Sequence, residues 1–297
     1  MRLAIATCNT LPEWEVDDAP LHRALEARGV DISHEIWTDP TVDWASYTAC
    51  LIRTTWDYYD RLEQFLEWAQ RVSVQTQLFN PMQTVRWNTC KSYLQDLEAA
   101  GLPVIPTEWF EPGDRPELKA VMSNRGWTRG FIKPQVGATA SGTMRFETDA
   151  HNLQIAQDHL DTLLECQAAL VQPYLEQVET LGEWSAIFID GVWSHAVRKI
   201  PVPGDYRVQD DFGASDEPYE PAPSERALAM EVMHARQDHS NWTGEPRGQS
   251  LLYGRVDMLY SGETPLINEV ELVEPSLFFR HEPDAALRLT EAILQRC

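Results

Sequence analysis

The segment INEVELVEPS, residues 267–276, places Glu269 and Glu271 two apart in an otherwise apolar run. In an extended strand such side chains share a face, with Cα atoms ~6.5–7 Å apart, so two anions there repel unless a cation sits beside them. Just upstream, Arg255 and Asp257 alternate in the same way, and Gly262 marks a turn between the two runs. A hairpin would bring all four charges to one face. Carboxylates with no His or Cys nearby suit a hard cation with oxygen ligands, Mg²⁺ or alternatively Mn²⁺, rather than zinc, and such ions also bind phosphates. The competing interpretation of these four residues is a salt-bridged, solvent-facing sheet.

Lysines supply the complementary charge. Lys133 ends an apolar run directly before PQVGATASG, where Gly137, Ser141 and Gly142 leave backbone N–H groups free to approach a phosphate. No GK[ST] follows, so this is not a Walker A loop, and an ordinary hairpin tip is the alternative. Lys91 and Lys199 also stand in or beside apolar elements. Arg53 lies at the carboxyl end of the strand-like ACLIRTT, where ligands of open α/β sheets bind, and Thr54, Thr55, Asp57 and Tyr58 follow it. An arginine can take a substrate carboxylate bidentately and Asp57 can pair with a substrate amine; a structural Arg–Asp pair anchoring the loop is the alternative. Arg207 in PGDYRVQ and Ser276 after the acidic strand are further substrate candidates.

The elements that must position these residues follow from periodicity. Over the first 80 residues, short apolar runs (RLAIAT, SHEIW, ACLIRTT, QLFN) alternate with helical patterns, a βαβ arrangement that predicts a parallel sheet. A helix is expected over residues 88–101, capped by Asn88 or Thr89 and ended by Gly101. Hairpins are expected over residues 129–146, over 183–199 through Asp190-Gly191, and over 251–272. The fold class is α/β, turning to α+β in the second half, with expected divisions 1–87, 88–170 and 171–297.

Composition narrows the partners. The 297 residues are 43% hydrophobic, enough for a substantial core. Against 46 acidic residues stand 24 Lys and Arg, and the net charge of −22 argues against nucleic acid or an anionic membrane surface as partner. Five scattered cysteines without CxxC spacing fit a reducing, cytoplasmic setting, and no run is long enough to span a bilayer.

The order Lys91, Lys133 with its small-residue loop, VQPYLEQVE, Lys199, Asp257, Glu269 and Glu271 resembles the ATP-grasp superfamily over nearly the whole chain. That resemblance implies an ATP-grasp fold with an N-terminal parallel-sheet domain. Lys91 and Lys133 would hold the nucleotide phosphates, and the connection Gln172, Pro173, Tyr174, Leu175 would contact adenine. Glu179 would bind the ribose, Lys199 would face the phosphates, and Arg255 would stand beside the transferred phosphoryl group. The superfamily's metal ligands run Asp, then Glu-x-Asn; here they would be Asp257, Glu269 and Glu271, with a second glutamate replacing the asparagine.

IRTTWDYY, GEWSAIFIDGVWSHAVRKIPVPGDYRVQ and NEVELVEPSLFF resemble the glutathione-synthetase-like branch. More narrowly, they are similar to the cyclo-ligases that close D-cycloserine from O-ureido-D-serine. The resemblance implies ATP and Mg²⁺, a small amino-acid-like carboxylate activated as an acyl phosphate, attack by a nitrogen, and a homodimer through the N-terminal domain. An intermolecular ligase, a kinase acting on a hydroxyl, and a nucleotide-binding regulator without turnover are the alternatives.

Overall fold

The computed structural model describes residues 1–11, 16–238, 242 and 251–297. Strands β1 (Arg2–Thr7), β2 (Asp31–Ile36), β3 (Ala49–Thr54) and β4 (Gln77–Phe79) form a parallel sheet in the order β2-β1-β3-β4. Its inner strands read as unbroken apolar runs because both faces are covered. Leu3 and Ile5 of β1, with Ala49 and Leu51 of β3, pack with residues of the helices Ala19–Ala27 and Pro283–Arg296. Ala4, Ala6, Cys50 and Ile52 point the other way, into a core with Phe65, Trp68 and Val72 of the helix Leu62–Gln75.

A second sheet is antiparallel, with β5 (Glu108–Phe110), β6 (Arg129–Pro134), β7 (Met144–Glu147) and β8 (Ala169–Pro173) in the order β5-β8-β6-β7. The helices Leu118–Arg125 and Ala150–Leu164 share its core, the latter capped by the Asp149 carboxylate on the backbone N–H groups of His151 and Asn152. The division expected at 170/171 falls inside β8, which pairs with β6 from Ala169 to Pro173; we propose the joint after Pro173.

The third sheet holds β9 (Glu183–Ile189), β10 (Val192–Ile200), β11 (Ser215–Pro218), β12 (Tyr253–Ser261) and β13 (Thr264–Glu271), in the order β11-β10-β9-β12-β13. Asp190 (φ 53°) and Gly191 (φ 73°) form the tight turn between β9 and β10, with the positive φ values a two-residue hairpin demands. One face of this sheet sends Trp184, Phe188, Val256, Met258 and Val270 against Ala229, Val232 and Met233 of the helix Pro223–Asp238. The other face changes character along its length. Ile187, Ile189 and Val197 pack into the core shared with the parallel sheet, whereas Glu183, Ser185, Lys199, Arg255 and Asp257 are buried together as polar groups.

Two buried amides lock this sheet to the chain leaving β4. Asn80 Nδ2 donates to the Tyr253 and Leu272 carbonyls at 2.9 and 2.8 Å, and Asn88 Nδ2 donates to Val270 O at 2.8 Å while its Oδ1 accepts from Leu272 N at 2.7 Å. The helix expected over 88–101 is shorter, Tyr93–Ala99, and a separate helix, Met82–Asn88, ends where it was expected to begin. In the connection between them the Lys91 backbone N–H, which a first helical turn would leave without a partner, donates to Gln135 O at 2.9 Å. No helix among the described residues is long and apolar enough to cross a membrane.

Candidate active site

The β12–β13 register pairs Asp257 directly with Glu269 and Arg255 with Glu271. The next pair is Met258 with Ile267, so Asn268 is an extra residue, a β-bulge at the acidic cluster. Asp257, Glu269 and Glu271 each bring a carboxylate oxygen within 4.8 Å of the others.

Cations interleave with the acids. Arg255 Nε and Nη2 donate to both Asp257 oxygens at 2.9–3.2 Å, Nη2 also pairs with Glu271, and Nη1 reaches Ser276 O at 3.1 Å. Lys199 Nζ pairs with Glu183 and lies 3.4 Å from Asp257, which also accepts from Ser185 Oγ at 2.5 Å. Lys133 Nζ donates to Asn268 Oδ1 at 3.1 Å and to Glu269 at 3.4 Å. Lys91 Nζ donates to the Gly137 carbonyl at 2.9 Å and lies 3.6 Å from Glu269, which ties the small-residue loop to the cluster.

Four cations (Lys91, Lys133, Lys199, Arg255) thus meet five carboxylates (Glu183, Asp257, Glu269, Glu271, Glu274) on one cavity wall. Burial pushes the acids up, and the cations decide which ones stay down. Arg255 and Lys199 outweigh burial at Asp257, as Lys91 and Lys133 do at Glu269, so both carboxyls lie below their usual range. At Glu271 burial wins against Arg255, with Asp257 and Glu269 adding repulsion, and its carboxyl is pushed up to about 7. Three carboxylates that bring oxygen donors this close together fit a hard divalent ion.

The cavity has a volume of about 290 Å³. Lys91, Lys133, Gly137, Ser141, Gln172, Tyr174 and Leu175 line it, as do Lys199, Arg255, Asp257, Glu269, Glu271, Tyr58, Arg207 and Ser276. The hairpin tip, the β8 exit, the β12–β13 strands and the loop after β10 therefore converge on one space.

Other expected residues do not line that cavity. Gly142 (φ 69°) shapes the loop end, and its carbonyl accepts from His159 Nε2 at 2.8 Å. Glu179 stands behind Tyr174, accepting from its hydroxyl at 2.5 Å and from Arg145 Nη1 at 3.0 Å. Arg53 is buried in a bidentate pair with Asp18 at 2.7 and 2.9 Å, so its fork is already occupied. Thr54 donates to Thr7 Oγ1 at 2.7 Å, Thr55 is fully buried, and Asp57 accepts from Trp37 Nε1 at 2.6 Å and pairs with Arg61. Arg53 is thus paired within the protein, with Asp18 rather than Asp57 as its partner. The sequence reading missed Glu183, Ser185, Asn268 and Glu274. For the first two a signal existed, since Glu183 and Ser185 alternate with Trp184 and Ala186 just as the acids of β13 alternate with Val270.

Solved ATP-grasp structures match this chain from end to end. The RimK domain ATP-grasp protein of Sphaerobacter thermophilus covers 99% of this chain and 100% of its own, with TM-score 0.67 at 17% identity. The D-alanine–D-alanine ligase of Bacillus anthracis, solved with ATP, covers 99% and 96%, with TM-score 0.66 at 14% identity. The fold is that of the ATP-grasp enzymes. Within it, the cycloserine biosynthesis protein DcsG of Streptomyces lavendulae is 34% identical over 310 residues, 99% of this chain and 98% of the relative. The crystal structure of D-cycloserine synthetase DcsG has TM-score 0.89 at 31% identity, covering 100% and 99%. Residues 3–80 match the family model for the N-terminal domain of D-cycloserine synthetase DcsG. The chain belongs to the D-cycloserine synthetase DcsG family.

Proposed function

We propose that this ATP-dependent ligase activates the carboxylate of a small amino-acid-like acid as an acyl phosphate, which a nitrogen of the same molecule attacks to close a ring. O-ureido-D-serine giving D-cycloserine is the reaction proposed. Its atoms balance when the carbamoyl group leaves as carbamic acid and ATP and water become ADP and phosphate. The observation that carries this reading is the single cavity in which Lys91, Lys133, Lys199 and Arg255 face an excess of carboxylates.

Transferring a phosphoryl group to a carboxylate brings anions together, so catalysis is mostly charge neutralisation and positioning. Lys91 and Lys133, with Gly137 and Ser141, hold the nucleotide phosphates. Gln172, Tyr174 and Leu175 contact adenine, and Glu179, held behind Tyr174, would take the ribose hydroxyls only by exchanging its bond to the Tyr174 hydroxyl. Lys199 and Arg255 face the phosphoryl group in transfer. Asp257, Glu269 and Glu271 would hold Mg²⁺, which when bound neutralises charge on the phosphate oxygens. Tyr58, Arg207 and Ser276 contact the acid. Lys133 and Lys199 now rest on carboxylates of the same cluster, so both ammonium groups are already positioned when a triphosphate offers them new partners.

An ADP-release screen over amino acids and both O-ureidoserine enantiomers, with mass spectrometry of the products, tests the proposal. ADP, phosphate and a cyclised product are expected. A stable phosphorylated hydroxyl compound would instead make the protein a kinase.

A further inference from the structure

Glu274 stands apart from the acids already described. It is 9% exposed and lines the cavity, yet it is outside the cluster of three carboxylates whose oxygens approach within 4.8 Å. Among the described residues its carboxylate is in no ion pair. A buried carboxylate is costly unless it is paired.

The main chain that carries it is held on three consecutive carbonyls. Glu274 O accepts from Trp56 Nε1 at 3.2 Å, Pro275 O from Arg53 Nη1 at 2.9 Å, and Ser276 O from Arg255 Nη1 at 3.1 Å. Such a clamp fixes the backbone from which the Glu274 side chain projects. It also gives Arg53 a use, as a positioning residue for this segment.

We propose that Glu274 is the recognition point for the ammonium group of the acid substrate. The inference rests on the ligase reading above and deepens it by naming the residue that would select a substrate carrying a free α-ammonium group. Ammonium and carboxylate sit on the same carbon in such a molecule, so an ammonium held at Glu274 leaves the carboxylate beside it, within the cavity that Arg255 also lines. Asp57, the acid first expected to take the amine, is committed to Trp37 and Arg61.

Calorimetric titration tests this in the presence of Mg²⁺ and a non-hydrolysable ATP analogue. O-ureido-D-serine and its des-amino counterpart, 3-(ureidooxy)propanoate, are titrated into the wild type, Glu274→Gln and Glu274→Asp. The wild type is expected to prefer the amino compound by about tenfold to a hundredfold, the range for a charge-assisted hydrogen bond. Glu274→Gln is expected to bind both within about threefold, and Glu274→Asp, which keeps the charge, to retain part of the preference. Affinity for the ATP analogue reports that each variant is folded. A Gln variant with the full wild-type preference, or a wild type that binds both compounds alike or neither, would overturn the proposal. ADP release is scored separately. A preference without ADP release leaves the ammonium site standing and rejects ligation instead.

Discussion

Two buried arginines of this chain make the same contact and serve different ends. Arg53 and Arg255 each grip an aspartate bidentately, and each donates its remaining arm to a carbonyl of the Pro275–Ser276 segment. Around Arg53 the charges close: one guanidinium, one Asp18 carboxylate, both side chains 2% exposed. Around Arg255 they do not, since Asp257 is shared with Lys199, Glu271 competes for the same guanidinium, and the group opens on the cavity. A buried ion pair by itself therefore says little about chemistry. Charge left over beside a cavity says a good deal more.

The closed pair should respond most strongly in stability. Arg53→Ala strands Asp18 without a partner, at an expected cost of about 3–5 kcal/mol in unfolding free energy. Replacing both partners, Arg53→Met with Asp18→Leu, should recover most of that loss, because the neighbours then bury no unpaired charge. Denaturant titration of the three proteins decides the matter. A single mutant as stable as the wild type would mean that Asp18 has found another cation.

The open cluster should respond in turnover instead. Glu269→Gln keeps the shape of the side chain and removes one negative charge where acids are in excess. Turnover is expected to fall about 10²–10³-fold, the scale for losing one electrostatic stabiliser, with unfolding free energy changed by no more than about 1 kcal/mol. An undiminished rate across a Mg²⁺ series would take Glu269 out of the metal set.

This contrast shows what the sequence could and could not reveal. Alternation of charged and apolar residues in β12 and β13 is visible as spacing, because strand side chains two apart share a face whatever the rest of the fold does. Asp190-Gly191 announces its own turn. Arg53 offers no such clue. Its partner Asp18 lies 35 residues earlier, beside a short turn, and only the packed tertiary structure brings the two together. Asn268 is hidden for a related reason: a bulge is a property of the pairing, and the adjacent polar residues Asn268 and Glu269 do not by themselves say which of them is the extra one. The helix expected across Lys91 starts only at Tyr93, and the Lys91 N–H is tied to Gln135, 44 positions away in the chain, a partner that local spacing cannot show. Local rules thus delivered the strands and the ionic face, and long-range partners decided which buried charges remained available.

Lys133 sharpens the comparison from the cationic side. It is 3% exposed, burial lowers its proton affinity, and Glu269 partly restores it. If its partner in use is a nucleotide phosphate, Lys133→Ala should weaken ATP binding by roughly 1.5–3 kcal/mol, the worth of a charged hydrogen bond. Near-wild-type affinity would make Lys133 a second closed pair, with Glu269 in the role that Asp18 plays for Arg53.

A last expected effect concerns pH and separates open from closed charge without touching Arg255. Burial pushes the Glu274 carboxyl up to about 8, with repulsion from Glu271 added and Arg255 and Lys91 opposing, against an ordinary value of 4.5. A raised value means that the folded state holds the proton more firmly than the unfolded chain. Its contribution to stability is thus present at low pH and lost as pH rises from about 4.5 to about 8. Glu274→Gln should flatten the stability curve over that window, as read by denaturant titration of the ligand-free protein. Pairing with an ammonium group favours the ionised form, so binding of the amino compound near neutral pH should release a proton that the Gln variant does not release. Calorimetry in buffers of different ionisation enthalpy measures that release, and equal proton release from both proteins would assign it to another group.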